Sequence, residues 1–451
     1  MSAFWSATAL LPDGWAKNVR FTVAEGRIAS IESGVAAGPA DEVYQITLPG
    51  LANVHSHAFQ RGMAGLAEHR GGTSDDNFWS WREVMYRFLD RLNPDDMEAI
   101  AALAYAEMLE TGYTHVGEFH YLHNNADGRA YADPAEMAAR IAAAAQLTGI
   151  GLALLPVFYA HSNFGGQVPN HGQRRFVHDL DSFARLLEAC RPLLAEGDRL
   201  GIAPHSLRAV TGEDLAALIA MHPQGPIHIH AAEQHKEVQD SLAFSGQRPV
   251  EWLLDHAGLD ERWCLIHATH LSHAETDALA ASGAVAGLCP VTEANLGDGI
   301  FPAARFLAAG GRIATGTDSN VLIDPAQELR ALEYSQRLVH QTRNVLASDT
   351  HASVARHLFE ATLAGGAQAM GIEPGLAVGH PADFVTLNAQ HPALHGRSGD
   401  QLLDSWVFAA RNDCVDTVWK RGRKVVSGGR HIESAFITAR YLNVVDRILA
   451  A

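Results

Sequence analysis

Along the middle of the chain, apolar positions come in short runs, each followed by a longer Ala- and Leu-rich segment with helical spacing. The runs are Leu51–His57, Thr114–Phe119, Gly151–Tyr159, Leu200–His205, Ile227–His230, Cys264–His267, Ala284–Leu288 and Arg312–Thr317. Amphipathic stretches such as Asp95–Glu110, Pro134–Leu147, Asp181–Leu194 and Pro249–His256 fall between them. Short apolar strands alternating with helices predict βα units around a parallel sheet. Eight such units predict a TIM-type (β/α)8 barrel, with an open doubly wound sheet as the alternative. The open sheet calls for a glycine-rich phosphate loop after its first strand, and that position holds His55-Ser56-His57.

The two ends follow a different period. Val19–Val23 and Arg27–Ile31 alternate around a Glu25-Gly26 turn, which predicts a hairpin. Asp383–Leu387, Val415–Trp419 and Lys424–Val426, with Arg421-Gly422-Arg423 between the last two, repeat the pattern. The expected organisation is a small composite β-sandwich domain built from both termini, residues 1–48 and 375–451, the latter ending in a helix. The barrel then occupies residues 49–374.

Composition narrows the partners more than the fold. With 47% hydrophobic and 19% charged residues, the 451-residue chain reads as globular. Its formal charge of −17 disfavours nucleic acid and anionic membranes as partners. An anionic small-molecule substrate would need a local cluster of Arg or Lys. Cys190, Cys264, Cys289 and Cys414 are widely spaced and read as buried thiols of a reducing compartment. No apolar run has membrane-spanning length, and the N-terminus lacks a basic segment leading into an apolar core. A cytoplasmic location is expected.

In such a barrel, chemistry sits where strands end at their C-terminal side. Those exits carry His55 and His57, then Glu118, His120 and Tyr121, His161, His205 with Arg208, His230 with Glu233, His267 with His270, Glu293 with Asn295, and Asp318. A lone exit histidine is usually a hydrogen-bonded structural residue; polar groups at nearly every exit are not explained that way, because burying each without a partner costs about 1–3 kcal/mol. His55, His57, His230 and Asp318 together supply three imidazoles and a carboxylate, a donor set suited to one zinc ion, with ferrous iron as the other candidate. Such an ion would bring the pKa of a water to about 7. Glu233, three residues beyond His230, is placed to take a proton from that water and pass it to a leaving nitrogen. His267 and Asp318 would hold the nucleophile and stabilise the tetrahedral centre.

These pieces resemble the amidohydrolase superfamily: Pro49-Gly50-Leu51 followed by Asn53-Val54-His55-Ser56-His57, His230-Ala231-Ala232-Glu233, His267-Ala268-Thr269-His270-Leu271, Cys289-Pro290 with Asn295-Leu296, and Gly316-Thr317-Asp318. They occur in order along essentially the whole chain. Many members carry a lysine on the fourth strand that bridges two metals, whereas this exit reads Ala203-Pro204-His205-Ser206-Leu207-Arg208, which implies one metal. The His-x-x-Glu motif is similar to that of the mononuclear deaminases. Within them, His57–Arg61, Phe78–Glu83, Glu118–Tyr121, Gly172–Phe176, His205–Val210 and Thr292–Ile300 resemble the formimidoylglutamate deiminases. That resemblance implies hydrolysis of a linear amidine on a dicarboxylate in histidine degradation, a homodimer, and substrate contacts from Gln60, Arg82, Tyr121, His205 and Arg208. Guanidinium is the side chain best suited to grip carboxylates bidentately, which agrees for Arg82 and Arg208. Two alternatives remain open: a deaminase of the same branch acting on guanine, cytosine or an adenosyl compound, and a non-catalytic scaffold barrel.

Overall fold

A computed structural model describes residues 2–69 and 77–450 of the chain. All eight predicted runs are parallel strands: Leu51–Ser56, Tyr113–His120, Gly151–Phe158, a fourth in two pieces (Arg199–Leu200 and Ala203–Pro204), Ile227–Ala231, Trp263–His267, Val285–Leu288 and Arg312–Thr315. The expected fourth strand, Leu200–His205, is interrupted at Gly201 and Ile202, where Gly201 N donates to Leu154 O at 2.9 Å on one side and Ile202 N to Pro226 O at 3.0 Å on the other. Two seams close the ring. His228 N donates to Ile202 O at 3.1 Å on one side, and Thr317 N donates to His55 O at 3.1 Å on the other.

Helices begin where capping residues permit. Pro94–Thr111 starts after Asn93, whose side chain accepts from Asp96 N at 3.0 Å, and ends at Gly112 in the left-handed region. The expected Pro134–Leu147 and Asp181–Leu194 helices are Glu136–Thr148 and Leu180–Cys190. The second yields to a 3-10 turn at Arg191–Leu193, where Pro192 enters.

Strands from both ends of the chain share one eight-stranded sheet. Ser2–Leu11 pairs with Gly14–Ala24 and with Glu42–Pro49, which pairs in turn with Phe384–Leu387, followed by Val415–Lys420 and Arg423–Ser427. The two layers of this small domain are therefore parts of a single sheet that curls on itself. Phe4 and Phe384 are two strands apart in sheet order, yet their rings stack at 4.0 Å across the fold. A buried charge pair anchors the sheet to the barrel: Lys420 Nζ donates to Asp383 Oδ2 at 2.5 Å and meets His115 Nε2, from the second barrel strand, at 2.8 Å.

Two C-terminal helices rest on the barrel itself. Asp400–Ala409 places Trp406 against Phe359 of Val354–Met370, and Ser434–Ala450 reaches Pro94–Thr111 through Arg440 and Glu98 at 2.9 Å. No helix among the described residues is long and apolar enough to cross a membrane.

Candidate active site

The first strand is buried along its whole length, and its period of two sends His55 and His57 to the same face. The closing seam staples this strand to the eighth exit. Asn53 Oδ1 accepts from Thr317 N at 3.0 Å, Asp318 N donates to His55 O at 2.9 Å, and His57 N donates to Asp318 O at 2.9 Å. The backbones approach so closely that a Cβ on Gly316 would lie 2.7 Å from His55 N and 2.8 Å from His55 O. Gly316→Ala is therefore expected to push the first strand outward, lowering metal occupancy and turnover together; elemental analysis and an activity assay on the same sample check it.

Four donors converge at this seam. His55 Nε2 lies 3.4 Å and His57 Nε2 3.3 Å from Asp318 Oδ1, and His230 Nε2 lies 3.1 Å from His55 Nε2. His57 Nδ1 faces Phe119 O at 2.9 Å and His230 Nδ1 faces His205 O at 3.0 Å. A carbonyl can only accept, so both rings carry their proton on Nδ1 and turn a bare Nε2 inward. Burial pushes the His55 imidazole down to about 3 and also lowers His57 and His230, which keeps all three neutral. Burial opposes the charge on Asp318, yet the adjoining imidazoles hold its carboxyl well below the usual carboxylate range. Ligands about 2.0–2.1 Å from a tetrahedral zinc stand roughly 3.3 Å from one another, so this donor set fits a divalent cation.

Beside the donors stand Glu233 and His267. His267 Nε2 is 3.9 Å from Glu233 Oε1 and 3.8 Å from Asp318 Oδ2, while its Nδ1 is 3.3 Å from Glu293 Oε1. Burial disfavours charge on His267, but Glu233, Glu293 and Asp318 outweigh it and raise the imidazole to about 10. Burial raises Glu233 against the pull of His267 and Arg208. His267 and Asp318 both take left-handed backbone angles, φ 69° and 46°, as does Ala232 at 52°. Such conformations cost of order 1–3 kcal/mol and survive only where surrounding contacts impose them.

Above this centre a cavity is lined by all five residues expected to hold substrate: Gln60, Arg82, Tyr121, His205 and Arg208. Gln60 Nε2 donates to Tyr121 Oη at 2.9 Å, and Gln60 Oε1 has no partner among the described residues. Arg82 lies on the helix Phe78–Leu89, its guanidinium 4.5 Å from the Trp79 ring centroid and 5.6 Å from that of Tyr86. The Nε atoms of Arg82 and Arg208 are buried and unpartnered among the described residues.

Sequence reasoning missed several participants. Trp81, Tyr86, Tyr159 and Phe176 form aromatic walls. Glu237 accepts from the backbone N–H groups of Ala232 and Glu233 at 3.0 and 3.1 Å; its spacing four residues after Glu233 on a helix was the available signal. Arg175, within the Gly172–Phe176 segment, is almost wholly buried and donates to Leu89 O, Leu92 O and Asn124 O, clipping down the helix that carries Arg82.

Conversely, Glu118, His120, His161, His270, Glu293 and Asn295 do not line the cavity. Glu118 accepts from Ala58 N at 2.7 Å beneath the His57 turn, and His120 packs on His123. His161 pairs with Asp214 at 3.1 Å, His270 stacks on His235, and Asn295 donates to Glu68.

A family model for the amidohydrolase family matches residues 46–425, and one described as the N-terminal domain of formimidoylglutamate deiminase HutF matches residues 1–45. The chain is 51% identical to a formimidoylglutamate deiminase from Pseudomonas aeruginosa, covering 100% of both. It is 26% identical to a 5'-deoxyadenosine deaminase from Methanothermobacter thermautotrophicus, over 93% of this chain and 92% of that one. Among solved structures, an amidohydrolase from Brucella melitensis is 54% identical with a TM-score of 0.96, and each chain is covered fully. An adenosine deaminase from Xanthomonas campestris with bound zinc shares the fold at 23% identity and a TM-score of 0.81, over 100% of this chain and 98% of that one. With a match over most of its length and a half-identical relative of the same extent, the chain belongs to the amidohydrolase family.

Proposed function

We propose that this protein is a formimidoylglutamate deiminase, hydrolysing N-formimidoyl-L-glutamate with water to N-formyl-L-glutamate and ammonia. The observation that carries this is the 51% identity, over the full length of both chains, to a protein of that activity. The site is consistent with it: the guanidiniums of half-buried Arg82 and buried Arg208 face one cavity inside a chain of formal charge −17.

His55, His57, His230 and Asp318 would hold one divalent cation, with zinc the expected ion and ferrous iron the other candidate. When bound, that cation supplies the Lewis acidity that lets water act as a nucleophile near neutral pH. Glu233 accepts the water proton and delivers it to the departing nitrogen. His267, within 4 Å of both Glu233 and Asp318, stabilises charge developing at the attacked carbon. Arg82 and Arg208 bind the two carboxylates of the substrate, with Gln60, Tyr121 and His205 orienting its chain. The aromatic walls leave one competing reading, deamination of an adenosyl compound as named for the 26%-identical relative. Ammonia release from metal-replete protein with formimidoyl-glutamate, 5'-deoxyadenosine and guanine separates them. Turnover of the first alone is expected; preference for either of the others would reject the deiminase reading.

A further inference from the structure

Resting on the assignment of Glu233 as the proton carrier, we propose that Arg208 restrains Glu233 in the free enzyme. A substrate carboxylate that takes over the guanidinium then releases Glu233 to the reacting centre. The substrate's carboxylate thereby acts on turnover as well as on binding.

The Glu233 carboxylate spans two sites. Its Oε1 is 3.9 Å from His267 Nε2, and its Oε2 is 3.5 Å from Arg208 Nη2. Among the described residues, no other hydrogen bond reaches that carboxylate. Arg208 has a second acidic neighbour, Glu237, at 3.9 Å. The two neighbours are not equally mobile. Glu237 is tied to the backbone N–H groups of Ala232 and Glu233 and is fully buried, so it stays in place.

Arg208 lines the cavity, and its buried Nε has no partner among the described residues, so the guanidinium keeps hydrogen-bonding capacity that a carboxylate can use. A carboxylate arriving there would be a third anion around one guanidinium. Like charges repel in a buried site, and the one without a backbone anchor yields. That one is Glu233, whose other oxygen already faces His267. An amidine with no carboxylate leaves the Arg208–Glu233 contact intact and meets a proton carrier still held through one oxygen by the guanidinium. Substrate selection is then partly a matter of rate, in the manner of binding energy used to assemble a catalytic group.

The test compares N-formimidoyl-L-glutamate with N-propylformamidine, which keeps the reacting amidine and the carbon chain but lacks both carboxylates. Wild-type protein is expected to turn over N-propylformamidine at saturation at least 100-fold more slowly than the full substrate. Arg208→Met is expected to invert the pattern: kcat/KM for the full substrate falls roughly 100-fold, while kcat for N-propylformamidine rises about 10-fold above wild type. Arg208→Gln, polar but without the charge, should show the same inversion if the Met variant does not fold. A variant that slows both substrates, or leaves N-propylformamidine at the wild-type rate, overturns the release of Glu233. Failure of wild-type protein to act on N-formimidoyl-L-glutamate at all would instead overturn the deiminase reading.

Discussion

Glu233→Gln is expected to keep its metal and lose turnover by about 10^2–10^4-fold, the range that general acid–base catalysis contributes. The substitution is nearly isosteric and removes the carboxylate's charge together with its capacity to take up a proton. None of the four converging donors belongs to Glu233, whose contacts are Arg208 at 3.5 Å and His267 at 3.9 Å, so metal content should stay at wild-type level. The loss should fall on kcat, because a proton carrier acts in the transition state more than in binding. Ammonia release at saturating substrate, with elemental analysis of the same preparation, makes the measurement. Near-wild-type turnover would remove Glu233 from the mechanism.

His57→Ala, and equally His55→Ala, should abolish both metal retention and deimination. Each deletion takes one of the three neutral imidazoles that face Asp318 or one another within 3.1–3.4 Å and leaves the remaining donors short of a four-ligand set. The thermal midpoint of either variant should then match that of metal-stripped wild-type protein and no longer rise when zinc is added, since only a ligand bound to the native state stabilises it. A variant that still gains stability and activity with zinc would mean that these two histidines are not ligands.

How much of this was legible beforehand depended on the kind of information each residue carried. The βα pattern and the converging donor groups were readable together. Strand period puts His55 and His57 on one face, and a closed parallel barrel turns distant strand exits into neighbours, so His230 and Asp318 could be matched to that pair without any contact data. Exit position alone was a weaker guide. His161 and His270 occupy exits as His230 does, yet one turns to Asp214 and the other to His235, because loop backbone past the last ladder bond no longer obeys the strand period.

The small domain shows the same division. Its strands and their alternation were written in the sequence, as was the joining of both termini in one unit. That they form one curled sheet depended on Phe4 meeting Phe384 across the fold. The substrate end depended on tertiary contacts most of all. Arg82 reaches the cavity because Arg175, far along the chain, binds the carbonyls of Leu89 and Leu92 and fixes the helix Phe78–Leu89. By itself the sequence determined the barrel and singled out candidates for the metal donors and for the proton carrier, because periodicity and spacing along one strand or turn are local properties. Only the tertiary structure decided that Glu233 lies between His267 and Arg208, with Glu237 fixing its backbone, because those distances are set by how three different strand exits pack together.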